Sequence, residues 1–348
     1  MILVRLALAS LVAVAALSPG QPQPDIDPHL KSIVTSRFGF TSAELADLRR
    51  GKVIRRALES QAPGEIAVAG AVRIRAPKTT FMARVRDIVR FKRGPNVLQI
   101  GLFSDPPVVA DLAALTVSRD DFDPADCRVS DCGIRIPAQV IDRVGREIDP
   151  SEPDAQARAA ALFKQVLVDH VRAYLHGGPG RMVQFDDSST PLRPMDQFHA
   201  ILSASPVLAE LAPGLPEHLT DPAAKPIPGA EDVVYWSKER FGMAPFITVT
   251  HAVLLCPSPA FCVIASRDVY STRYVDASLS ISVAADVPSD PALFDLVYEN
   301  RSRATALKGM FGALRRSIAE RRAKAGLEDT LKTLRQTLEQ GQPADRWR

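Results

Sequence analysis

The chain has 348 residues, of which 46% are apolar and 24% charged, with a formal charge of only +3. This is ordinary globular usage, which provides for a sizeable core and excludes a fibrous or low-complexity class. The length suits one large domain or two.

The first twenty residues carry one cation, Arg5, then an apolar run from Leu6 to Leu17 and the small, turn-forming Ser18-Pro19-Gly20. That run is shorter than the roughly 20 residues needed to span a bilayer. A secretory signal cleaved near residue 20 is therefore expected, against an uncleaved anchor helix. The mature chain is then periplasmic or extracellular. Gln21 to Pro28 is Pro-rich and predicts loose chain. Thr41-Ser42 opens a short helix with Glu44 in its first turn, and Gly51 closes it. Strands are predicted over Lys52–Glu59 and Glu65–Ala76, the latter with Ile66, Val68, Gly70, Val72 and Ile74 alternating with small or polar partners. Pro77 stops that strand. Thr79-Thr80 starts a helix to about Arg90, with Phe81, Val85, Ile88 and Val89 inward, and Asn96–Phe103 is a further strand.

From Asp105 to Gly229 strands thin out and Pro is frequent. One strong helix, Ala155 to His176, shows a stripe of Leu162, Phe163, Val166, Leu167, Val171, Tyr174 and Leu175, and Gly177-Gly178 ends it. Shorter helices are expected around Met195–Leu202 and Val207–Leu211, and Pro222, Pro226 and Pro228 form a linker. Five strand candidates follow: 232–237, 245–256, 262–271, 273–283 and 293–300. Such a meander is normally antiparallel. In the fourth, Val275, Ala277, Leu279, Ile281 and Val283 alternate with Tyr274, Asp276, Ser278, Ser280 and Ser282, one covered face against one wet face. The expected cover is the next segment, where Leu307, Met310, Phe311, Leu314 and Ile318 recur at helical spacing. Gly309 and Gly312 lie inside it and each costs about 1 kcal/mol relative to Ala, a cost that close packing on the sheet or room for a guest offsets. A second helical run after Gly326 (Leu327, Leu331, Leu334, Leu338) reads as a docking tail.

Four cysteines fall in two close pairs, Cys127/Cys132 and Cys256/Cys262. The second pair joins one predicted strand end to the next strand start across Pro257-Ser258-Pro259, a separation a disulfide can bridge. Neither spacing is a two-residue zinc knuckle. Two disulfides are therefore expected, in an oxidising compartment.

Catalytic motifs are absent. His176-Gly177-Gly178-Pro179-Gly180 looks like the oxyanion turn of some α/β-hydrolases, but no G-x-S-x-G elbow accompanies it, so it reads as a helix stop. His170 and His176 are six apart, on different helix faces, and no metal-ligand spacing occurs. Neither a metal nor an organic cofactor is expected. His251 shares a strand face with Ile247, Val249, Val253 and Leu255. It is either a satisfied core histidine or a polar anchor in a ligand cavity; an enzyme using it with Tyr274 or Asp276 would need those groups to converge. Asn300-Arg301-Ser302-Arg303 is placed at a strand-to-helix junction, where it caps the helix or binds an anion. Between Arg301 and Ala325 eight cations face Glu320 alone. That basic terminal helix is a solvated face or a contact for an anionic membrane surface. Nucleic acid is not an expected partner for an exported chain with two Trp and no stacking motif.

The order of elements resembles the helix-grip fold of START-type lipid-transfer domains. The segments that carry the resemblance are EIAVAGAVRIRAP with TTFMARVRDIVRF, then YWSKERFG, FITVTHAVLL, CVIASRDVYSTRYVDASL and FDLVYENRSRATALKGMFGALRRSI. They cover roughly 52–103 and 231–318, in an exported protein of bacterial type. The fold class so implied is α+β: an antiparallel sheet gripping a long C-terminal helix. Its organisation is a signal (1–20), an N-terminal β-β-α-β part (21–104), a helical Pro-rich insertion (105–229), the strands and helix of the same domain (230–325) and a helical tail (326–348). The resemblance implies a non-enzymatic periplasmic or secreted carrier of a lipid or other apolar small molecule, with a cavity walled by Val249, His251, Val253, Leu279, Ile281, Met310, Phe311 and Leu314. The alternative is a structural or envelope-interaction protein whose interior is filled by its own side chains.

Overall fold

The computed structural model describes residues 25–62, 64–178, 180–240, 244–309 and 311–340. The expected signal falls outside them, as does Met310. Eight strands form one antiparallel sheet: β1 (Ile54–Ala57), β2 (Glu65–Ile74), β3 (Val97–Leu102), β4 (Glu231–Glu239), β5 (Phe246–Ser258), β6 (Phe261–Ser271), β7 (Ala277–Val287) and β8 (Asp290–Arg303). Their spatial order is β1-β2-β8-β7-β6-β5-β4-β3. The meander β4 to β8 is thus contiguous, and β2 closes on β8 over a ten-residue register from Glu65↔Arg303 to Ile74↔Phe294. The fourth predicted strand starts later than its alternation suggests, at Ala277, because Tyr274 occupies a left-handed turn (φ 68°). The fifth is longer than expected: Asn300 to Arg303 continue β8 and do not open a helix.

Both faces of the sheet are dressed. On the first lie α1 (Pro28–Ser36), α2 (Ser42–Arg49), α7 (Pro194–Ser203), α8 (Val207–Leu211) and α9 (Leu215–Thr220), packed on Ala69, Ala71, Leu279, Ile281, Val283 and Val297. The helix α1, not anticipated, begins at Pro28, where the expected loose stretch ends, and is capped by the Asp27 side chain. The insertion supplies α7, α8 and α9, and its earlier part covers the rest of this face. Its α5 (Ala138–Glu147), not anticipated, and α6 (Ala155–His176) bury Ile141, Phe163, Val166, Leu167 and Tyr174 against Trp236, Ile247, Val249 and Tyr270. Trp236 lies flat over Gly101 of β3, where an added Cβ would come within 2.6 Å of the indole, and its Nε1 donates to the Asp111 carbonyl at 2.9 Å.

The second face carries α3 (Lys78–Arg86), α4 (Ile88–Lys92) and α10 (Gly312–Glu339). The long C-terminal helix packs on the sheet as a helix-grip fold requires, with two corrections. The predicted terminal helix and tail are one continuous element through Gly326, and the residues that dock it are Leu327, Leu331 and Leu338 of the supposed tail. Gly70 of β2 receives Leu327 and Leu331; a Cβ there would meet their methyls at 3.0–3.1 Å. The apolar side of β7 is covered by α7 on the opposite face, while Phe311, Leu314 and Ile318 are 65%, 60% and 38% exposed. The cause is phase. At 3.6 residues per turn, Leu314 and Ile318 lie about 150° around the helix from the leucines that meet the sheet, so one straight helix cannot seat both stripes on one surface.

Cys127–Cys132 and Cys256–Cys262 are both disulfide-bonded. Each closes a short loop, worth about 2 kcal/mol on the chain-entropy estimate, and they suit an oxidising, exported environment. Among the described residues no helix is long and apolar enough to cross a membrane.

Candidate functional site

Period-two alternation puts the polar residues of β5 to β8 on the second face, between the helices. Register aligns them in two lines. Tyr235 pairs with Thr250 and Thr250 with Asp268; Ser278, which reaches Asp268, pairs with Ser302. One step along, Ala252 pairs with Ser266, Ser266 with Ser280 and Ser280 with Asn300. Ser266, Asp268, Ser278, Ser280, Tyr298, Asn300 and Ser302 are all half-buried. Three helices frame this floor. The leucines of α10 stand on the β2 side, Phe81, Met82 and Val85 of α3 close the end at Phe294 and Leu296, and Ile88 of α4 sits against Tyr235 and Ala252.

The floor carries two short hydrogen-bond chains. Thr250 Oγ1 and Ser278 Oγ donate to the two oxygens of Asp268 at 2.8 and 2.6 Å. Asn300 Nδ2 donates to Ser280 Oγ at 2.9 Å, Ser302 Oγ donates to Asn300 Oδ1 at 2.9 Å, and Ser280 Oγ lies 3.1 Å from Tyr298 Oη. Burial pushes the Asp268 carboxyl up despite the two hydroxyl donors, and burial likewise raises Tyr235. Lys92 stands at the end of α4. Its ammonium is in electrostatic reach of Tyr235 foremost, then Glu239, Tyr298 and Asp268, which together raise its pKa. Tyr235 on β4 and Tyr298 on β8 are four inter-strand steps apart, about 19 Å at the usual spacing. A cation that senses both lies within electrostatic range of much of the floor. Lys92 keeps broad contact with water. Held protonated, it is an anion-pairing group and not an amine nucleophile.

Of the wall residues expected from the sequence, the seven that are described do not come together around one space. Val249, His251, Val253, Leu279 and Ile281 are all at most 2% exposed, on the first face, beneath the insertion and the N-terminal helices. Phe311 and Leu314 are solvent-facing on α10. Two surface grooves of about 420 and 480 Å³, one at Arg37, Arg56 and Arg301 and one at Lys78 and Asp286, include none of the seven. Asp276 is committed to Arg135 at 2.6 Å and to Thr305 at 2.8 Å, and Tyr274 packs edge-on against Phe246. His170 is a core histidine: its Nδ1 accepts from the Met182 amide at 2.9 Å, and burial lowers its pKa to about 4. His251 is fully buried and touches Tyr174 and Asp232. Sequence reasoning passed over Lys92, Asp268 and the serines. The alternation of β7 already put Ser278, Ser280 and Ser282 on a wet face, and that signal reads as solvation until Lys92 is placed within electrostatic reach of the floor.

Comparison with protein-family models and with curated proteins finds no match for this chain.

Proposed function

We propose that the protein is an exported, non-enzymatic binding protein whose guest carries an acidic group, held in the cleft of the second face. The observation that carries this reading is Lys92, a solvent-reached cation in electrostatic reach of a half-buried floor of hydroxyl and amide side chains on adjacent strands. A guest's carboxylate or phosphate would pair with Lys92 and accept from the floor hydroxyls, while the half-buried Ile264 at the margin would meet its apolar part. A fatty-acid-like guest keeps the lipid-carrier expectation and gives its head group a place. Delipidated protein should bind a fluorescent fatty acid at low micromolar affinity. Lys92→Ala should weaken it about tenfold to hundredfold, the size of one charge-assisted hydrogen bond, and Ser280→Trp, filling the floor, should abolish it. Affinities unchanged in both variants would refute the site. Native mass spectrometry of protein from its source separates a carrier, which arrives with its guest, from an envelope-interaction protein.

A second reading rests on Phe311, Leu314 and Ile318, exposed on α10 and flanked by Arg315, Arg321 and Arg322. An apolar stripe edged with cations suits the surface of an anionic bilayer. The full chain should co-sediment with phosphatidylglycerol vesicles at low salt and not with phosphatidylcholine vesicles; Leu314→Asp should release it.

A further inference from the structure

Across the sheet from the cleft, three side chains from three separate elements meet at one point. His218 comes from α9, Asp232 from β4 and His251 from β5. His218 Nε2 and His251 Nε2 lie 2.6 and 2.8 Å from the same carboxylate oxygen, Asp232 Oδ1. All three atoms fall within 4.8 Å of one another.

The far side of each imidazole decides what the near side presents. His218 Nδ1 is 2.6 Å from the Lys225 carbonyl, which can only accept, so this nitrogen carries the proton. His251 Nδ1 is 2.8 Å from Tyr174 Oη, whose own proton goes to the Leu219 carbonyl at 2.9 Å; here too the ring nitrogen is the donor. With Nδ1 as the donor, a ring that carries no second proton directs its Nε2 lone pair at an oxygen that also has only lone pairs to give, so either a proton or a metal cation must stand between them. The outer contacts, a backbone carbonyl on one ring and a tyrosine hydroxyl on the other, are those that fix tautomer and orientation in metal-ligating histidines. The two rings are 4% and 0% exposed while the Asp232 side chain is 40% exposed, so the cluster is walled by protein and opens to solvent on its carboxylate side.

We infer that His218, Asp232 and His251 form a binding site for one divalent transition-metal ion of the zinc class, with a further coordination position facing solvent. Two imidazole nitrogens and one carboxylate oxygen suit zinc, cobalt or nickel better than the all-oxygen sites of calcium and magnesium. Tetrahedral zinc at roughly 2.0–2.1 Å from each ligand holds its ligand atoms about 3.3 Å apart. The two Nε2–Oδ1 separations must therefore widen by about 0.5–0.7 Å, a movement within reach of a half-exposed aspartate. The site shares no residue with the cleft, so either can fail without the other.

The test uses the full mature chain, stripped with chelator and titrated with zinc and with cobalt. One zinc per chain is expected, with cobalt giving the visible absorption of a tetrahedral N/O site. Asp232→Asn, on the solvent side of the cluster, and the near-isosteric His218→Gln should retain the wild-type circular dichroism and lose affinity by more than about 100-fold. Tyr174→Phe, which removes an orienting contact only, should lose about 10- to 100-fold. No stoichiometric zinc uptake by folded wild-type protein, or uptake unchanged in Asp232→Asn, overturns the site. So does nitrogen NMR showing both His218 nitrogens protonated, with Nε2–H bonded to Asp232, at saturating zinc, the pattern of a plain ion pair.

Discussion

The docking of α10 can be tested at two leucines seventeen positions apart. Leu331 is 3% exposed and its methyl lies 3.0 Å from where a Gly70 Cβ would be, whereas Leu314 is 60% exposed. Full burial of a leucine side chain is worth about 1.5–3 kcal/mol, and truncation adds the cost of the cavity, so that buried Leu→Ala changes span about 2–5 kcal/mol. Leu331 sits under a helix that can settle toward the sheet, so the lower half applies, about 2–3 kcal/mol. In a chain of this size that lowers the melting temperature by about 5 °C. Leu314→Ala should stay within about 0.5 kcal/mol of wild type. Urea unfolding followed by circular dichroism, with m-values compared, reads both. Equal losses at the two positions, or a larger loss at Leu314, would mean that the first half of the helix carries the contact and that the phase argument fails.

Other outcomes follow from the same coordinates. Gly101→Val sets a branched side chain into the Trp236 ring and should cost at least about 1–3 kcal/mol, visible as a red-shifted tryptophan emission at lower denaturant. Replacing Cys256 and Cys262 together by Ser should cost about 2 kcal/mol, and adding reductant to wild type should lower stability in the same direction. Asp268 has a folded-state pKa raised by burial, so the fold binds its proton more tightly than the unfolded chain does. Its contribution is then fully present below the ordinary aspartate range and is lost as pH rises through the raised value. Asp268→Asn should therefore flatten the fall in stability over that window. The charged and titratable neighbours are Lys92, Arg267 and Tyr235, and Lys92→Ala should steepen the fall; parallel pH profiles for wild type and Asp268→Asn would exclude the assignment.

The sheet was largely legible because its alternation is local: each strand of the meander carries its own pattern and its own turn residues. The disulfides were legible for the same reason, with partners five and six positions apart. The side on which α10 lies was not. Apolar spacing at 311, 314 and 318 and at 327, 331 and 338 is equally helical, and choosing between the stripes depends on which one finds a Gly70 opposite it. The histidine and aspartate ligands were invisible to spacing rules, since His218, Asp232 and His251 are far apart in sequence and meet only because α9 crosses the end of β4 and β5. His251 alone showed a trace, as an imidazole among apolar strand neighbours. The insertion was predicted as helical, but its role in roofing Trp236, Val249 and His251 follows from tertiary order that no short window contains.

Strands β5 and β6 serve both surfaces at once. Thr250 precedes His251 in the chain, and Asp268 follows Arg267, the cross-strand partner of His251. A shift of these two ribbons by a fraction of an ångström is therefore transmitted through the backbone to opposite sides of the molecule. Titrations of acidic guests should accordingly be run in matched zinc-loaded and chelated samples; any change in affinity between them would measure, in free energy, how stiffly the shared ribbons are held.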